Sequence, residues 1–542
     1  MSIKNIIGHI IKCSLDKLNI DNININDINI EIPAKKENGD YSSNIALTLT
    51  KKLHKSPMDI ANIIVSNIED NEIIEEIKIA NPGFINFYLK KEFLLNQINK
   101  ILEENKNYGR NDDGNGKKIN IEFVSANPTG ILHIGHGRGA TYGDTLARIM
   151  SYSGYDVTKE YYVNDAGNQM NNLGISIKER YNELCGLECN LPEDGYHGQE
   201  IITIASLIYD DYKDTKLNET VEYFKQKGLE ILLDKIKKDL DHYRVNFDIF
   251  TSEQSLYDKG KVDEALNILK NNNHCYINEN ALWLKTSEYG DEKDRVLIKS
   301  DGNYTYLTPD ISYHLDKINR GYEEVIDVLG ADHHGYINRL KASMTMLGKD
   351  SNIIDVRILQ MVRLIKDGAE LKLSKRTGKT ITLMDLVEEI GVNATRYFFA
   401  SHSLDTSMDF NKDLALKQSN ENPVYYIEYA NARICSILKN YKKKPEKCDK
   451  YTTLNDEAAY IILNKLIAFE DVVISASKKK EPHIIANYVY DLASEFHSYY
   501  ASSKMITEDE KATLERMNLI VAIQIVINNA LDLLGIIPRE EM

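Results

Sequence analysis

Two histidines flank a glycine in the tetrapeptide His133-Ile134-Gly135-His136, and this spacing could serve nucleotide chemistry. In the first turn of a helix, residues three apart share one face, and the glycine lets a flat ring approach the backbone. The N–H groups at a helix start also carry partial positive charge that suits phosphate. The tetrapeptide therefore indicates a site for ATP with its α-phosphate open to attack, although ordinary polar residues at a helix start would fit it equally well.

A second segment, KLSKR at 372–376, holds three cations and a serine within five residues, and Thr377 and Gly378 follow it. Such a loop could clamp a triphosphate, because positioned cations stabilise the charge that develops on leaving pyrophosphate. Alone, the segment would be interpreted as a basic surface loop. Together with the histidine motif upstream, it favours nucleotidyl transfer.

A dinucleotide-binding site is the competing interpretation of the same region. Gly135, Gly137 and Ala140 satisfy the G-x-G-x-x-A spacing, and Glu160 stands about 20 residues beyond, where an acid would bind ribose. That fingerprint should follow its strand immediately, however, and NPTGILHI intervenes here. Glu160 also lies inside the next predicted strand, before Tyr161, so the sequence disfavours this interpretation.

The elements that must position the histidines form a βαβ pattern. INIEFV at 119–124 alternates like a strand, with Glu122 on its polar side; a helix is expected from about 132 to 152, and DVTKEYYV at 156–163 is the next strand. A crossover of this length makes the two strands parallel, and the site then lies at their carboxyl ends.

The rest of the chain divides into further regions. The first hundred residues predict a small α/β module, and residues 171–300 predict a largely helical insertion without βαβ rhythm. Strands are expected again at YTYL, EVIDVLG and IIDVRILQMV, and beyond about Asp405 every segment predicts helix, as in a bundle.

Composition narrows the class of protein. The chain has 542 residues and a net charge of −16, which suggests three or four domains and argues against a generally basic, nucleic-acid-coating protein. The lysine runs NYKKKPEK and ASKKKEPH could be solvated faces or local RNA contacts. The most apolar stretch, LIVAIQIVINNALDLLGII, contains Gln524 and Asp532 and predicts a buried terminal helix, not a membrane span. The six scattered cysteines predict free thiols in a reducing cytoplasm.

HIGH and KLSKR resemble the two signatures of class I aminoacyl-tRNA synthetases, with Leu373 where methionine is commoner. Several longer segments resemble bacterial-type arginyl-tRNA synthetases, and together they span nearly the whole chain: IPAKKENGDYSSNIAL, SANPTGILHIGHGRGATYGDTLARIMSYSGYDVTKEYYVNDAGNQM, SDGNYTYLTPDISYHLDK, VLGADHHGYINRLKA and NPVYYIEYANARICSIL.

The resemblance implies an α/β fold: a Rossmann-like parallel-sheet catalytic domain at 106–405 with its helical insertion, an N-terminal domain at 1–105 that contacts tRNA, and a helical anticodon-binding bundle at 406–542. It implies ATP with Mg2+, no protein-bound structural metal, and arginine and its tRNA as partners. A cytoplasmic monomer without membrane contact is expected.

The resemblance also implies roles for individual residues. The catalytic set is His133, His136, Lys372 and Lys375. The ATP-binding set is Asn127, Pro128, Thr129, Gly130, His133, Gly135, His136, Ser374 and Lys375. The arginine-binding set is Glu122, Ser125, Asn127, Tyr306, Asp310 and Asp332.

Alternatives remain open at this point. A class I synthetase for another amino acid would share the HIGH-type site, and an inactive tRNA-binding relative would share the fold. The acid Asp310 counts against a small apolar substrate, and the intact histidines and Lys375 count against inactivity. In the C-terminal region, Tyr425, Tyr426 and Tyr429 could stack on bases or fill the bundle core.

Overall fold

The computed structural model describes residues 2–33, 35–371 and 381–542, with the backbone alone for Asn26, Lys36 and 332–334. The KLSKR motif therefore lies outside the described residues.

The N-terminal region is a four-stranded antiparallel sheet in the order β1-β2-β4-β3, covered by helices. Helix α4 begins where predicted, because Pro57 occupies its first turn and the Ser56 hydroxyl accepts from the Asp59 N–H. The elements are α1 Ile3–Lys17, β1 Ile30–Glu31, β2 Tyr41–Ser43, α2 Ile45–Thr48, α3 Thr50–Leu53, α4 Pro57–Ser66, β3 Ile74–Ala80, β4 Phe84–Leu89 and α5 Lys91–Glu104.

A five-stranded parallel sheet in the order β12-β11-β5-β6-β7 forms the centre of the molecule. Its strands are β5 Lys118–Glu122, β6 Asp156–Val163, β7 Ile249–Ser252, β11 Glu324–Gly330 and β12 Ile354–Leu359, and α6 Ile134–Tyr152 joins β5 to β6. The predicted βαβ unit is confirmed. Both faces of β5 are buried, Asn120 and Glu122 included, as is usual when helices cover a parallel sheet on both sides.

The region expected to be a helical insertion, 171–300, contains more than helices. Three helices pack together after β6: α7 Asn168–Leu184, α8 Gln199–Tyr212 and α9 Val221–His242. Then β7 joins the central sheet, α10 Glu253–Asp258 and α11 Lys261–Asn271 follow, and β8 Cys275–Asn278, β9 Ala281–Leu284 and β10 Arg295–Ile298 form a separate antiparallel sheet. These four-residue strands are too short to show a clear period of two, so the sequence did not reveal them.

The expected strand YTYL is not a strand. Tyr304 makes only an isolated bridge to Ile298, and Leu307 already begins α12, Leu307–Asn319. Pro309 is tolerated in that first turn, because its missing N–H would have no partner there. Helix α13, Ile337–Met346, follows β11.

The region after 359 carries a small sheet before the helical bundle. It consists of β13 Val362–Lys366, β14 Ala369–Glu370 and β15 Met408–Asn411, with α14 Leu383–Ile390 and α15 Val392–Ala400 between β14 and β15. The expectation of helix alone beyond Asp405 therefore fails at β15, which pairs with β13.

The remaining helices are α16 Lys412–Leu416, α17 Pro423–Tyr441, α18 Glu457–Ile467, α19 Phe469–Lys479, α20 His483–Ser502 and α21 Glu510–Leu533. Helix α21 is buried along most of its length, as predicted, and two of its amide side chains bind partners outside the helix: Gln524 donates to Asn431, and Asn529 donates to the Asn105 carbonyl. No helix in the described ranges is both long and apolar enough to cross a membrane.

Candidate active site

The histidine motif lies at the first turn of α6, at the carboxyl edge of the central sheet. His133 is the N-cap residue, and its Nδ1 accepts the Gly135 N–H at 3.1 Å. The Nδ1 of His136 accepts the His133 N–H at 3.2 Å, and the two rings stack with centroids 3.7 Å apart. Burial, helped by His133, lowers the pKa of His136 to about 3, so this imidazole is neutral and its Nε2 can donate a hydrogen bond.

The glycines after His133 allow close packing around this turn. A Cβ at Gly135 would lie 3.0 Å from the His133 ring, and one at Gly137 would lie 2.5 Å from Leu383. A Cβ at Gly143 would meet the Phe123 ring at 2.1 Å. These contacts give Gly137 and Gly143 a packing reason that needs no dinucleotide.

The segment that follows KLSKR docks beside the histidine motif. His133 and Thr382 form an antiparallel bridge, and the Leu383 N–H donates to the Leu132 carbonyl at 2.8 Å. Thr382 then caps α14 through the Asp385 N–H. The residues that directly follow 372–380 in the sequence therefore lie next to His133.

The turn after β5 is strained. Val124 and Ser125 have φ of 68° and 35°, and the left-handed region is costly for a β-branched residue. Ser125 Oγ donates to Glu122 Oε1 at 2.9 Å and accepts the Tyr162 N–H at 3.0 Å. The Asn127 amide donates to Gln169 at 3.2 Å. These hydrogen bonds hold the two predicted arginine-binding side chains Ser125 and Asn127 in fixed directions. The predicted ATP-binding residues Pro128, Thr129 and Gly130 continue this loop toward α6.

Glu122 belongs to a buried ionic network that the sequence did not reveal. Lys317 Nζ binds Glu122 Oε2 at 2.6 Å and Asp327 Oδ1 at 3.0 Å, and His314 Nε2 lies 2.8 Å from Asp327 Oδ2. Burial opposes the ionisation of Asp327, but Lys317 and His314 outweigh it and keep its pKa below the ordinary value. Both Glu122 oxygens therefore have partners within the protein.

A second acidic group lies across the same end of the sheet. Asp310 Oδ2 accepts the Tyr336 hydroxyl, and burial raises the pKa of Asp310. Glu253, at the start of α10, is also buried, and burial together with the Asp310 carboxylate raises its pKa to about 7. The Tyr257 hydroxyl donates to Glu253 at 3.4 Å. Two carboxylates that resist ionisation together suit a cationic ligand.

Of the two remaining predicted arginine-binding residues, Tyr306 is the one whose side chain the structure describes. Tyr306 is 73% exposed at the start of α12, at the rim of the acidic group. Asp332 lies between β11 and α13, and its side chain is outside the described set, as are Lys372, Ser374 and Lys375.

Sequence signals could have indicated several of the missed residues. The missed residues His314 and Lys317 follow the predicted Asp310 at i+4 and i+7 on one stripe of α12. Asp327 is a lone charge inside the apolar strand EVIDVLG. Glu253 had no such signal, because it lies in a short helix after a strand that was not predicted.

Comparison with known proteins identifies the family. Three family models match: "Arginyl tRNA synthetase N terminal domain" at 5–89, "tRNA synthetases class I (R), catalytic domain" at 97–403 and "DALR anticodon binding domain" at 427–542. A curated arginine–tRNA ligase from Bacillus subtilis is 47% identical over 522 residues, covering 95% of this chain and 94% of the relative.

A second relative and a solved structure agree with this assignment. An arginine–tRNA ligase from Listeria monocytogenes is 47% identical over 546 residues, covering 99% of this chain and 98% of the relative. The solved arginyl-tRNA synthetase of Thermus thermophilus shares the fold, with a TM-score of 0.80, 20% identity and full coverage of both chains. The α/β class I fold expected from the sequence is confirmed, and the chain belongs to the arginyl-tRNA synthetase family.

Proposed function

We infer that this chain joins arginine to its tRNA in two steps. In the first step, an oxygen of the arginine carboxylate attacks the α-phosphorus of ATP, which forms arginyl-adenylate and releases pyrophosphate. In the second step, the 2′-hydroxyl of the terminal adenosine of the tRNA attacks the carbonyl carbon and releases AMP. The observation that carries this inference is a stacked histidine pair at a helix N-terminus, with His136 neutral, beside the buried carboxyl groups of Asp310 and Glu253 at the same sheet edge.

The nucleotide half of the reaction needs positioning and charge stabilisation only, because the arginine carboxylate is already ionised. We assign His133 and His136 to ATP and its transition state, and Gly135 to the adenine face. A neutral His136 donates from Nε2 without adding a charge that would need compensation. Lys372, Ser374 and Lys375 are assigned to the phosphates by resemblance, and the docking of Thr382 on His133 supports a place for their loop over ATP.

The arginine half needs carboxylates for a planar, permanently charged guanidinium. We propose that Asp310 and Glu253 bind it, because burial raises the pKa of both carboxyl groups and a guanidinium would stabilise their ionised forms. Glu122 is compensated by Lys317, so it is assigned with Ser125 and Asn127 to the amino-acid end of the substrate. Tyr306 is assigned to the rim, and Asp332 to the pocket by resemblance.

The tRNA-binding roles of the N-terminal and C-terminal regions are proposed from the family. We propose that the N-terminal region contacts the tRNA and that the helices from α17 onward bind the anticodon. Tyr429 supports this assignment, because it stacks with Tyr425 and lies under the Arg433 guanidinium, and neither tyrosine is fully buried. The domain bounds proposed are 1–105, 106–405 and 406–542, and β15 at the start of the third range pairs with β13 of the second.

Magnesium would bind together with ATP, coordinated by the phosphates. In the parts of the chain that the structure describes, no three His, Cys, Asp or Glu side chains are grouped as metal ligands, so these residues supply no cage of their own for the ion. A monomer and a cytoplasmic location are proposed from the family, and the free state of all six cysteines supports a reducing compartment.

The test is ATP–pyrophosphate exchange with each of the twenty amino acids, with and without total tRNA from the source organism. Exchange with arginine alone is the expected result, and a need for tRNA would couple activation to tRNA binding. Exchange with another amino acid would keep the mechanism and refute the pocket assignment. No exchange from folded protein under any condition would refute the proposed activity.

A further inference from the structure

The lysine run 478–480 ends α19, and the sequence left it open between a solvated face and an RNA contact. Lys478 and Lys479 are exposed, but the Lys480 side chain is only 13% exposed. Lys480 adopts a left-handed conformation, with φ of 57°, and caps the helix. The third lysine therefore turns inward, away from its two neighbours.

The Lys480 ammonium group lies between two carboxylates of the catalytic domain. It forms ion pairs with Glu324, the first residue of β11, and with Asp355, the second residue of β12. Lys117, just before β5, binds the same Glu324. Burial opposes ionisation of Glu324, but Lys117 and Lys480 lower its pKa overall. These contacts lie at the amino edge of the sheet, opposite the candidate active site.

The backbone of Lys480 contacts the helix that carries the histidine motif. Its carbonyl accepts the hydroxyl of Tyr142 at 2.8 Å, and Tyr142 is a buried residue of α6. One residue of the helical region thus contacts α6 and two strands at once. A second, separate connection runs from Asp144 of α6 to Arg396, and from Arg396 to the Leu534 carbonyl after α21.

We propose that Lys480 is a positioning residue that fixes the C-terminal helical domain on the catalytic domain, so that a tRNA bound to the helices brings its 3′ end to the adenylate. This inference rests on the proposed function. The two carboxylates would repel a phosphate that approached Lys480, so its surroundings favour an interdomain ion pair over an RNA contact. Lys479, exposed and adjacent, provides a matched control.

The experiment compares arginylation kinetics of the full-length protein and four variants: Lys480→Met, Lys480→Arg, Lys479→Met and the double variant Glu324→Gln/Asp355→Asn. Lys480→Met should lower kcat/KM for tRNA about tenfold, within the usual range of coupling between sites, and leave the KM for ATP and for arginine unchanged at saturating tRNA. Lys480→Arg should restore most of the loss. The double variant should show the same loss of kcat/KM for tRNA, although Lys479 and Lys480 are both intact in it. Lys479→Met should match the wild type.

Two results would overturn the proposal. Equal losses in Lys479→Met and Lys480→Met, with a weaker salt dependence of tRNA binding and a normal double variant, would make the run an RNA contact. Wild-type kcat/KM for tRNA in both Lys480→Met and the double variant would remove any positioning role. If Lys480→Met does not fold, Asp355→Asn alone decides between these outcomes, because it removes one partner and leaves Glu324. A wild-type protein without arginine-dependent exchange would instead refute the proposed function.

Discussion

The Lys317 ammonium group lies 2.6 Å from Oε2 of Glu122, and the Lys317 side chain has no solvent exposure. A buried cation thus occupies one oxygen of a carboxylate that sequence resemblance assigned to arginine. Asp327, the second partner of Lys317, holds the ammonium group in place. The proposed arginine pocket therefore contains a buried cation of the protein beside the place proposed for the substrate.

Replacement of Lys317 by methionine should destabilise the protein strongly. The change leaves Glu122 and Asp327 buried without their shared cation, and the free energy of unfolding should fall by about 3–5 kcal/mol. Urea unfolding measures this difference. Lys238→Met, which removes an exposed pair with Asp234, is the control and should change stability by less than about 0.5 kcal/mol. Equal effects in the two variants would contradict a charge-neutralising role for Lys317.

Arginine binding should tighten as pH rises from about 6 to 8. Glu253 has a pKa of about 7 in the free protein against an ordinary 4.5, and only its ionised form attracts a guanidinium. The KM for arginine should fall over this range, and in Glu253→Gln it should be higher and independent of pH there. A wild-type KM that does not vary with pH would exclude Glu253 from the pocket.

Ionisation of Glu253 favours arginine binding but lowers the stability of the ligand-free protein. Its folded-state pKa is raised, so the folded protein holds this proton more tightly than the unfolded chain does. The stabilisation is fully present below about pH 4.5 and is lost as pH rises through about 7. Thermal melting without ligand should show this loss in the wild type relative to Glu253→Gln.

His136 should act as a neutral hydrogen-bond donor. Its pKa of about 3 keeps it unprotonated across the working range, so kcat for exchange at saturating arginine should show no ionisation of His136 near pH 6.5. His136→Ala should lower kcat about 100-fold or more, as loss of one preorganised donor does, and His136→Asn should retain more activity. Equal losses in the two variants would argue against donation from this position.

Lys375→Ala should lower the rate of adenylate formation by orders of magnitude and leave tRNA affinity nearly unchanged. The expected cause is loss of a cation that stabilises the leaving pyrophosphate. Single-turnover adenylation and tRNA filter binding measure the two quantities separately. A fully active variant would remove this lysine from the mechanism.

The sequence by itself determined the elements with strong local signals. The parallel unit β5–α6–β6 lies where its periodicity placed it, and His133 caps α6 through a local contact, in which its Nδ1 accepts the Gly135 N–H. The family followed from contiguous motifs. By contrast, the four residues of β7 give too little periodicity to predict a strand, and YTYL, which the sequence predicts as a strand, leads directly into α12.

Only the tertiary structure decided which charges meet. Glu122 and Lys317 are 195 positions apart, and Glu324 and Lys480 are 156 apart, so no local pattern links either pair. Lys478, Lys479 and Lys480 look alike in the sequence, yet Lys478 stays exposed beside Asp113 while Lys480 turns inward between Glu324 and Asp355, because its left-handed conformation turns the chain at the end of α19. The free energy of a buried charge depends on its neighbours in space, and those neighbours exist only once the sheet and the helices have packed.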